Sequence, residues 1–234
     1  MALPADTESC MAAAVAGAPL ASGELRRHLA SALETRRDEG AQVETHPLGF
    51  LRLPLTISDR RKPGFYLHVW PGDLLGPPQD EGIHCHIFDL RSRILVGRLR
   101  DVAYDVAFDG IGPQYLYDIV FEATRSRRQF IQRVTCRRRA VADYWAGRVY
   151  GMPRGQFHAT VIPGGFTATL MWKSNVDLTA HPYNVTDVQA DESTVFEHVR
   201  REAGGIDQGR AWSVVLEVLD RLQPEAQGAR RSSP

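Results

Sequence analysis

The sequence predicts an all-β barrel or sandwich with helices at its two ends, and three observations carry that prediction. From residue 48 to about residue 176 the chain is a succession of short runs rich in Val, Ile, Leu, Phe and Tyr, broken by Gly, Pro and Asp clusters. Many short strands at such spacing are the pattern of a closed or double-sheet β fold. Before them, SGELRRHLASALETRRD places Leu25, Leu29 and Leu33 four residues apart, the period of an amphipathic helix. After them, DESTVFEHVRREAGG and DQGRAWSVVLEVLDRL read as two further helices.

Taken in order, residues 1–21 are Ala-rich, carry Asp6 and Glu8 early and lack a basic leading segment. They read as a flexible N-terminus rather than a signal peptide. Ser22 is a suitable N-cap for a helix running to about Asp38, and Gly40 ends it. The strand runs are GFLRLPLTI, GFYLHVW, SRILVGRL, AYDVAF, QYLYDIVFEA, FIQRVTC, FHATVI and TATLMW. The first C-terminal helix is capped by Asp191 or Ser193 and closed by Gly204. The second carries a stripe of Trp212, Val215, Leu219 and Leu222, which either packs on the barrel or makes a dimer contact. Residues 22–222 therefore form one domain with its barrel core at about 48–176, and the polar residues 223–234 read as a disordered tail.

The 28 basic and 28 acidic residues cancel, so the total charge points to neither nucleic acid nor a membrane surface. The arginines of TRSRRQFIQRVTCRRRA are interrupted by Phe130, Ile131, Val134 and Cys136. They read as a solvated strand face rather than a nucleic-acid patch. No apolar run approaches the roughly 20 residues that span a bilayer. Three scattered cysteines (Cys10, Cys85 and Cys136) do not make a disulfide framework. The expected location is the cytoplasm, and the expected assembly a monomer or homodimer.

Chemistry concentrates at EGIHCHIFD. Successive side chains of a strand point to opposite faces, so His84 and His86 share one face and Cys85 takes the other. Paired imidazoles on one face suit Zn, Cu, Fe or Ni; structural histidines are the alternative. Downstream lies GRVYGMPRGQFH, in which Gly147, Pro153, Gly155 and His158 follow one another at fixed spacing. With His84-x-His86 and the strand ending at Gly97, this resembles the two motifs of the cupin superfamily, small β-barrels with a metal in the barrel mouth. The usual acidic ligand of the first motif falls at Leu90 or Arg91, and Asp89 has the wrong parity to replace it.

The resemblance implies a metal held by His84, His86 and His158 alone, and among cupins it comes nearest in pattern to the three-histidine cysteine/thiol dioxygenase branch. It implies Fe(II), with Zn(II), Ni(II) or Mn(II) as alternatives, and a small substrate bearing a thiol or carboxylate, with dioxygen as co-substrate. Arg52 lies near the place where that branch binds the substrate carboxylate. The chain departs from the branch after the last histidine. Where the branch carries a Ser-His-Tyr arrangement, this sequence reads ATLMWKSN, which counts against cysteine itself as substrate. A redox-inert cupin isomerase, lyase or condensing enzyme, and a non-enzymatic ligand-binding cupin, are the other readings. The 49 residues between Gly97 and Gly147 are expected to hold two or three extra strands and a loop over the mouth. His68 reads as a satisfied core histidine, and Tyr144, Trp145 and Tyr150 either line the pocket or fill the core.

Overall fold

Two β-sheets face each other, with three helices covering the outside of one of them. The structure is a computed structural model that describes residues 3–46, 48–56, 62–75, 82–121, 125–189, 195–197 and 206–222. In chain order the elements are α1 (Ala5–Ala16), α2 (Ser22–Asp38), β1 (Glu44–His46), β2 (Phe50–Pro54), β3 (Gly64–Pro71), β4 (Ile83–His84) and β5 (Asp89–Val96). There follow β6 (Arg98–Ala107), β7 (Gln114–Phe121), β8 (Arg125–Trp145), β9 (Val149–Met152), β10 (Phe157–Val161), β11 (Phe166–Ser174), β12 (Tyr183–Thr186), β13 (Val195–Glu197) and α3 (Gln208–Arg221).

The first sheet runs β1-β2-β3-β11-β5-β9 and the second β13-β8-β6-β10-β4-β12-β7. Within them lie the layers β3-β11-β5-β9 and β8-β6-β10-β4, and the chain crosses from one layer to the other at every step except between β6 and β8, which pair with each other. That is the jelly-roll course of a cupin-type barrel, as expected. The strand periodicity explains the layering. Leu51, Leu53, Leu55, Phe65, Leu67, Val69, Leu95, Ala168 and Leu170 all point to one face of the first sheet and pack with the three helices in one core. Each of these Leu, Val and Phe side chains contributes roughly 1.5–3 kcal/mol by burial. The alternate residues (Arg52, Tyr66, His68, Thr169, Met171 and Lys173) look inward at the second sheet.

The N-terminal segment corrects the sequence reading. Residues expected to be flexible form α1, with Met11, Ala14 and Val15 buried against α2 and the sheet. The apolar positions 11, 14 and 15 fall on one helical face, a signal hidden by the surrounding alanines. Helix α2 covers the predicted residues, but Ser22 is its first residue and Ala21 occupies the cap position. The stripe of α3 packs on the barrel, with Trp212, Val215, Val218 and Leu222 buried in the helix-covered core and Asp207 capping the helix through the Arg210 amide. Of the helix expected from Asp191 to Gly205, residues 195–197 are a strand paired with β8, and the remainder lies outside the described residues, as does the tail 223–234.

Among its described residues, the segment between Gly97 and Gly147 holds the extra strands expected of it. β7 pairs with β12 and also with β8, so the second sheet closes its own pairing order into a ring. This encloses a second core of Ile83, Cys85, Leu116, Val134, Phe157, Ala159 and Val185. Each of the four from β4, β10 and β12 alternates with an inward residue of the same strand. The second core therefore lies on the face away from the histidines. Phe108, in the β6–β7 connection, packs toward Phe157 and Tyr183 on that same outer side.

Candidate metal centre

Strand pairing brings His84 and His158 together. They are direct cross-strand partners on β4 and β10, with ring centroids 4.4 Å apart. His86 follows just past the end of β4, its ring 4.7 Å from that of His84 and 5.2 Å from that of His158. The loop that carries it is clamped by the second motif: the Gly155 amide donates to the His86 carbonyl at 2.8 Å, and the Arg154 amide to Asp89 Oδ1 at 2.8 Å. Gly155 has φ +76°, a conformation that disfavours any side chain, which explains the glycine in the motif.

One ligand atom from each of the three histidines lies within 4.8 Å of the other two. His158 Nδ1 donates to Asp101 Oδ1 at 2.8 Å, and His84 Nδ1 donates to the Gly82 carbonyl at 2.6 Å. Both bonds fix the tautomer and leave Nε2 with its lone pair, the usual device by which an outer partner orients a metal-binding imidazole. His86 Nε2 and His158 Nε2 are 3.1 Å apart. Two nitrogens bound to one metal at about 2.0–2.1 Å are about 2.9 Å apart at a right angle and about 3.4 Å at the tetrahedral angle, so this spacing fits shared coordination.

Burial, and next the neighbouring His158, push the His84 imidazole down to about 3 against the weaker pull of its Gly82 bond. Burial also holds His86 well below the ordinary histidine value, helped by His84 and His158. Both are therefore neutral near pH 7, the form that ligates. The donor set fits a divalent metal: convergent imine nitrogens, fixed tautomers and a buried carboxylate behind one ligand.

Among the described residues no carboxylate joins the three. Asp89 is turned outward, accepting from the Arg154 amide and from Asn175 Nδ2 at 2.7 Å, so it ties the loop instead of coordinating. Leu90 is buried among Tyr66, Met152 and Met171. Cys85 points into the second core, where its sulfur accepts from the Tyr183 amide at 3.4 Å.

The facing wall comes from β3, β11, β5 and β9. Phe88 stacks on His86 at 4.7 Å, and the buried Lys173 lies beyond it, Nζ 5.5 Å from the Phe88 ring and 5.2 Å from the Tyr66 ring. Arg52, the expected carboxylate anchor, is on this wall opposite His68, with its guanidinium donating to Glu44 through Nε at 2.9 Å. His68 is not the satisfied core histidine expected: its buried Nε2 has no protein partner among the described residues. The same holds for Oγ1 of its strand neighbour Thr169 and for Oδ1 of Asn184, which pairs in register with His84. Tyr150 stacks on Tyr144 at 4.9 Å and packs inside, whereas Trp145 is exposed.

Sequence reasoning missed Asp101, Lys173, Thr169 and Asn184. Asp101 carried a usable signal: it is an acid at an inward position of the apolar strand LRDVA. Lys173 carried another, as one of two lysines among 28 basic residues.

The chain matches no protein-family model and no curated protein. Among solved structures it is similar to the DMSP lyase DddQ from Ruegeria pomeroyi, with TM-score 0.37 and 16% identity over 62% of this chain and 60% of that one. It is also similar to an RmlC-like cupin from Shewanella frigidimarina, with TM-score 0.31 and 14% identity over 61% of this chain and 91% of that one. Oxalate decarboxylase from Bacillus subtilis gives TM-score 0.34 and 13% identity over 67% of this chain and 30% of that one. The chain spans 51–60% of the length of the DMSP lyases it matches.

Proposed function

We propose that this chain is a mononuclear metal-dependent enzyme of dioxygenase-like type, acting on a small molecule that bears a thiol or carboxylate. The observation that supports the reading is the neutrality of the ligand set. His84, His86 and His158 bring no negative charge, and Asp89, three residues beyond His86, is turned away from them. A divalent metal there would supply two positive charges, of which the buried Asp101 carboxylate behind His158 offsets one at most, and, as iron(II), the redox capacity that dioxygen chemistry needs. An anionic substrate is the natural partner for that charge, since a buried charge is costly unless paired.

The remaining residues then have definable tasks. Asp101 holds His158 in the ligating tautomer. Phe88, Leu90, Met152 and Met171 keep water from the site, and Lys173 places a second cation beyond Phe88. For Arg52 to anchor a carboxylate, its guanidinium must be shared between substrate and Glu44. Arg52 thus acts as a carboxylate anchor of reduced strength.

One observation favours the redox-inert reading instead: the facing wall carries phenols. Tyr150 is held protonated, because burial raises its pKa above the ordinary tyrosine value, and Tyr66 lies beside Lys173. Proton-holding groups opposite a Lewis acid suit a lyase or isomerase.

The test is metal analysis and reconstitution of untagged protein. One equivalent of metal should be lost in each of His84→Ala, His86→Ala and His158→Ala. The iron(II) form should take up dioxygen with a member of a small thiol and carboxylic-acid panel. Retention of that equivalent in any two variants overturns the centre. Turnover of the panel by the zinc form without oxygen uptake selects the lyase reading, and binding without turnover selects a ligand-binding protein.

A further inference from the structure

We propose that Cys10, Glu24 and His28 form a second metal site, zinc-binding in character, that ties α1 to α2. The thiol of Cys10, the Glu24 carboxylate and the His28 imidazole each offer a ligand atom, and these atoms lie within 4.8 Å of one another. Two helices supply them in a way that follows from helical spacing. Glu24 and His28 are four residues apart on α2 and so share a face. Cys10 is on the face of α1 that packs against it, buried to 7% exposure.

The imidazole is also pre-oriented. Thr7, one turn before Cys10 and 2% exposed, places its hydroxyl 3.1 Å from His28 Nδ1. With Nδ1–H donating to that oxygen, Nε2 is the nitrogen presented to the cluster, as at ligating histidines generally. A hydroxyl here does for His28 what Asp101 does for His158.

Charge distinguishes this site from the barrel centre. A thiolate, a carboxylate and a neutral imidazole carry two negative charges, which balance a divalent cation. Without a cation, the half-buried Glu24 repels a Cys10 thiolate; burial first and Glu24 next raise the thiol's pKa. Binding replaces the S–H bond with a metal–sulfur bond and releases one proton to solvent, with no change in oxidation state. One thiolate with one nitrogen and one oxygen selects zinc over magnesium or calcium, and three protein ligands leave a fourth tetrahedral position for water or an incoming donor.

The two sites do not share a wall. Cys10 belongs to the core between the helices and the outer face of the first sheet, whereas the three histidines project from the second sheet toward its inner face. The site serves the helical layer, and zinc would raise the thermal stability of α1 and α2 by mass action.

The experiment uses the full chain carrying His84→Ala and His158→Ala, titrated with cobalt(II) as the spectroscopic stand-in for zinc. One equivalent should bind, with sulfur-to-cobalt absorption and release of about one proton, and zinc should displace it. Cys10→Ser and His28→Gln should each abolish the absorption, and Thr7→Val should weaken binding by about 10–100-fold. Helical circular dichroism of each variant shows whether it has folded. If Cys10→Ser does not fold, the half-buried His28→Gln carries the same test. Absence of sulfur-to-cobalt absorption in the parent, or its persistence in folded His28→Gln, overturns the assignment.

Discussion

Replacing Asp101 tests whether the barrel centre is built for a metal or only resembles such a site. The carboxylate is buried and accepts from His158 Nδ1 at 2.8 Å. Its effect on a bound metal is indirect: it holds the ring in one tautomer and makes Nε2 a stronger donor. Loss of such a partner lowers metal affinity by about 10–100-fold, or about 1.4–2.7 kcal/mol. Two substitutions divide that range. Asp101→Asn still offers a carbonyl oxygen to Nδ1–H but no charge, so it should fall near the tenfold end. Asp101→Leu removes the acceptor altogether and should approach a hundredfold. Affinity is read by competition with a chromophoric chelator at fixed pH, in a Cys10→Ser background so that only the barrel centre reports. A residue that merely stabilised the fold would shift the unfolding midpoint without ordering the affinities. Equal affinities in the parent and both variants would show that Asp101 does not support a metal ligand.

Two further outcomes follow from the same geometry. Cys85→Ser should leave metal affinity unchanged, because the sulfur sits in the second core on the opposite face, and should cost about 1–2 kcal/mol through a buried hydroxyl. A sulfur-to-metal absorption lost in that variant would show that the parity argument for the strand is mistaken. His68 is held down to about 3 by burial and, secondarily, by Arg52. Between about pH 6.5 and 3 the unfolded chain binds a proton there that the folded chain does not. Stability should therefore fall as pH drops through that window, by up to about 1.4 kcal/mol per pH unit from this group. His68→Phe should remove that slope, so the stability difference between parent and variant should change progressively below about pH 6.5 in denaturant titrations. A difference constant across the window would refute it.

How far the sequence reveals this molecule depends on whether a signal is local. His84, His86 and His158 were legible because strand parity and the glycine-proline spacing around them are set within a dozen residues. Their convergence has a simple cause in the cross-strand pairing of His84 with His158. Asp101 was harder to see, since its role depends on β6 lying beside β10 with Asp101 against Thr160, a pairing of distant segments. Arg52 was read as leaning inward from its apolar strand neighbours, but nothing local announced that Glu44 would meet it across the β1–β2 hairpin. Helix α1 was missed because alanine marks a helix without marking a face. The strand at residues 195–197 was missed because VFEH suits either period, and pairing with β8 decided it.

The architecture also divides the labour of the site. The three histidines and Asp101 come from β4, the loop after it, β6 and β10, all in or beside the second sheet, where the pairing ladder and the Gly155 clamp fix their backbone. The residues facing them (Tyr66, His68, Thr169, Met171 and Lys173) come from β3 and β11 of the first sheet, whose outer face is locked by the helical layer. Side-chain changes on β3 and β11 can therefore reshape what the pocket accepts without moving a ligand, and changes behind the histidines can alter the metal without altering the facing wall. The atoms of His68 and Thr169 that have no partner among the described residues lie on the wall facing the histidines, and that of Asn184 lies beside His84. A polar substrate group reaching from the metal toward β3 would meet the first pair, since leaving such atoms buried and unsatisfied costs about 1–3 kcal/mol each. Under the proposed function, the determinants of substrate identity would lie on the sheet that contributes none of the three histidines.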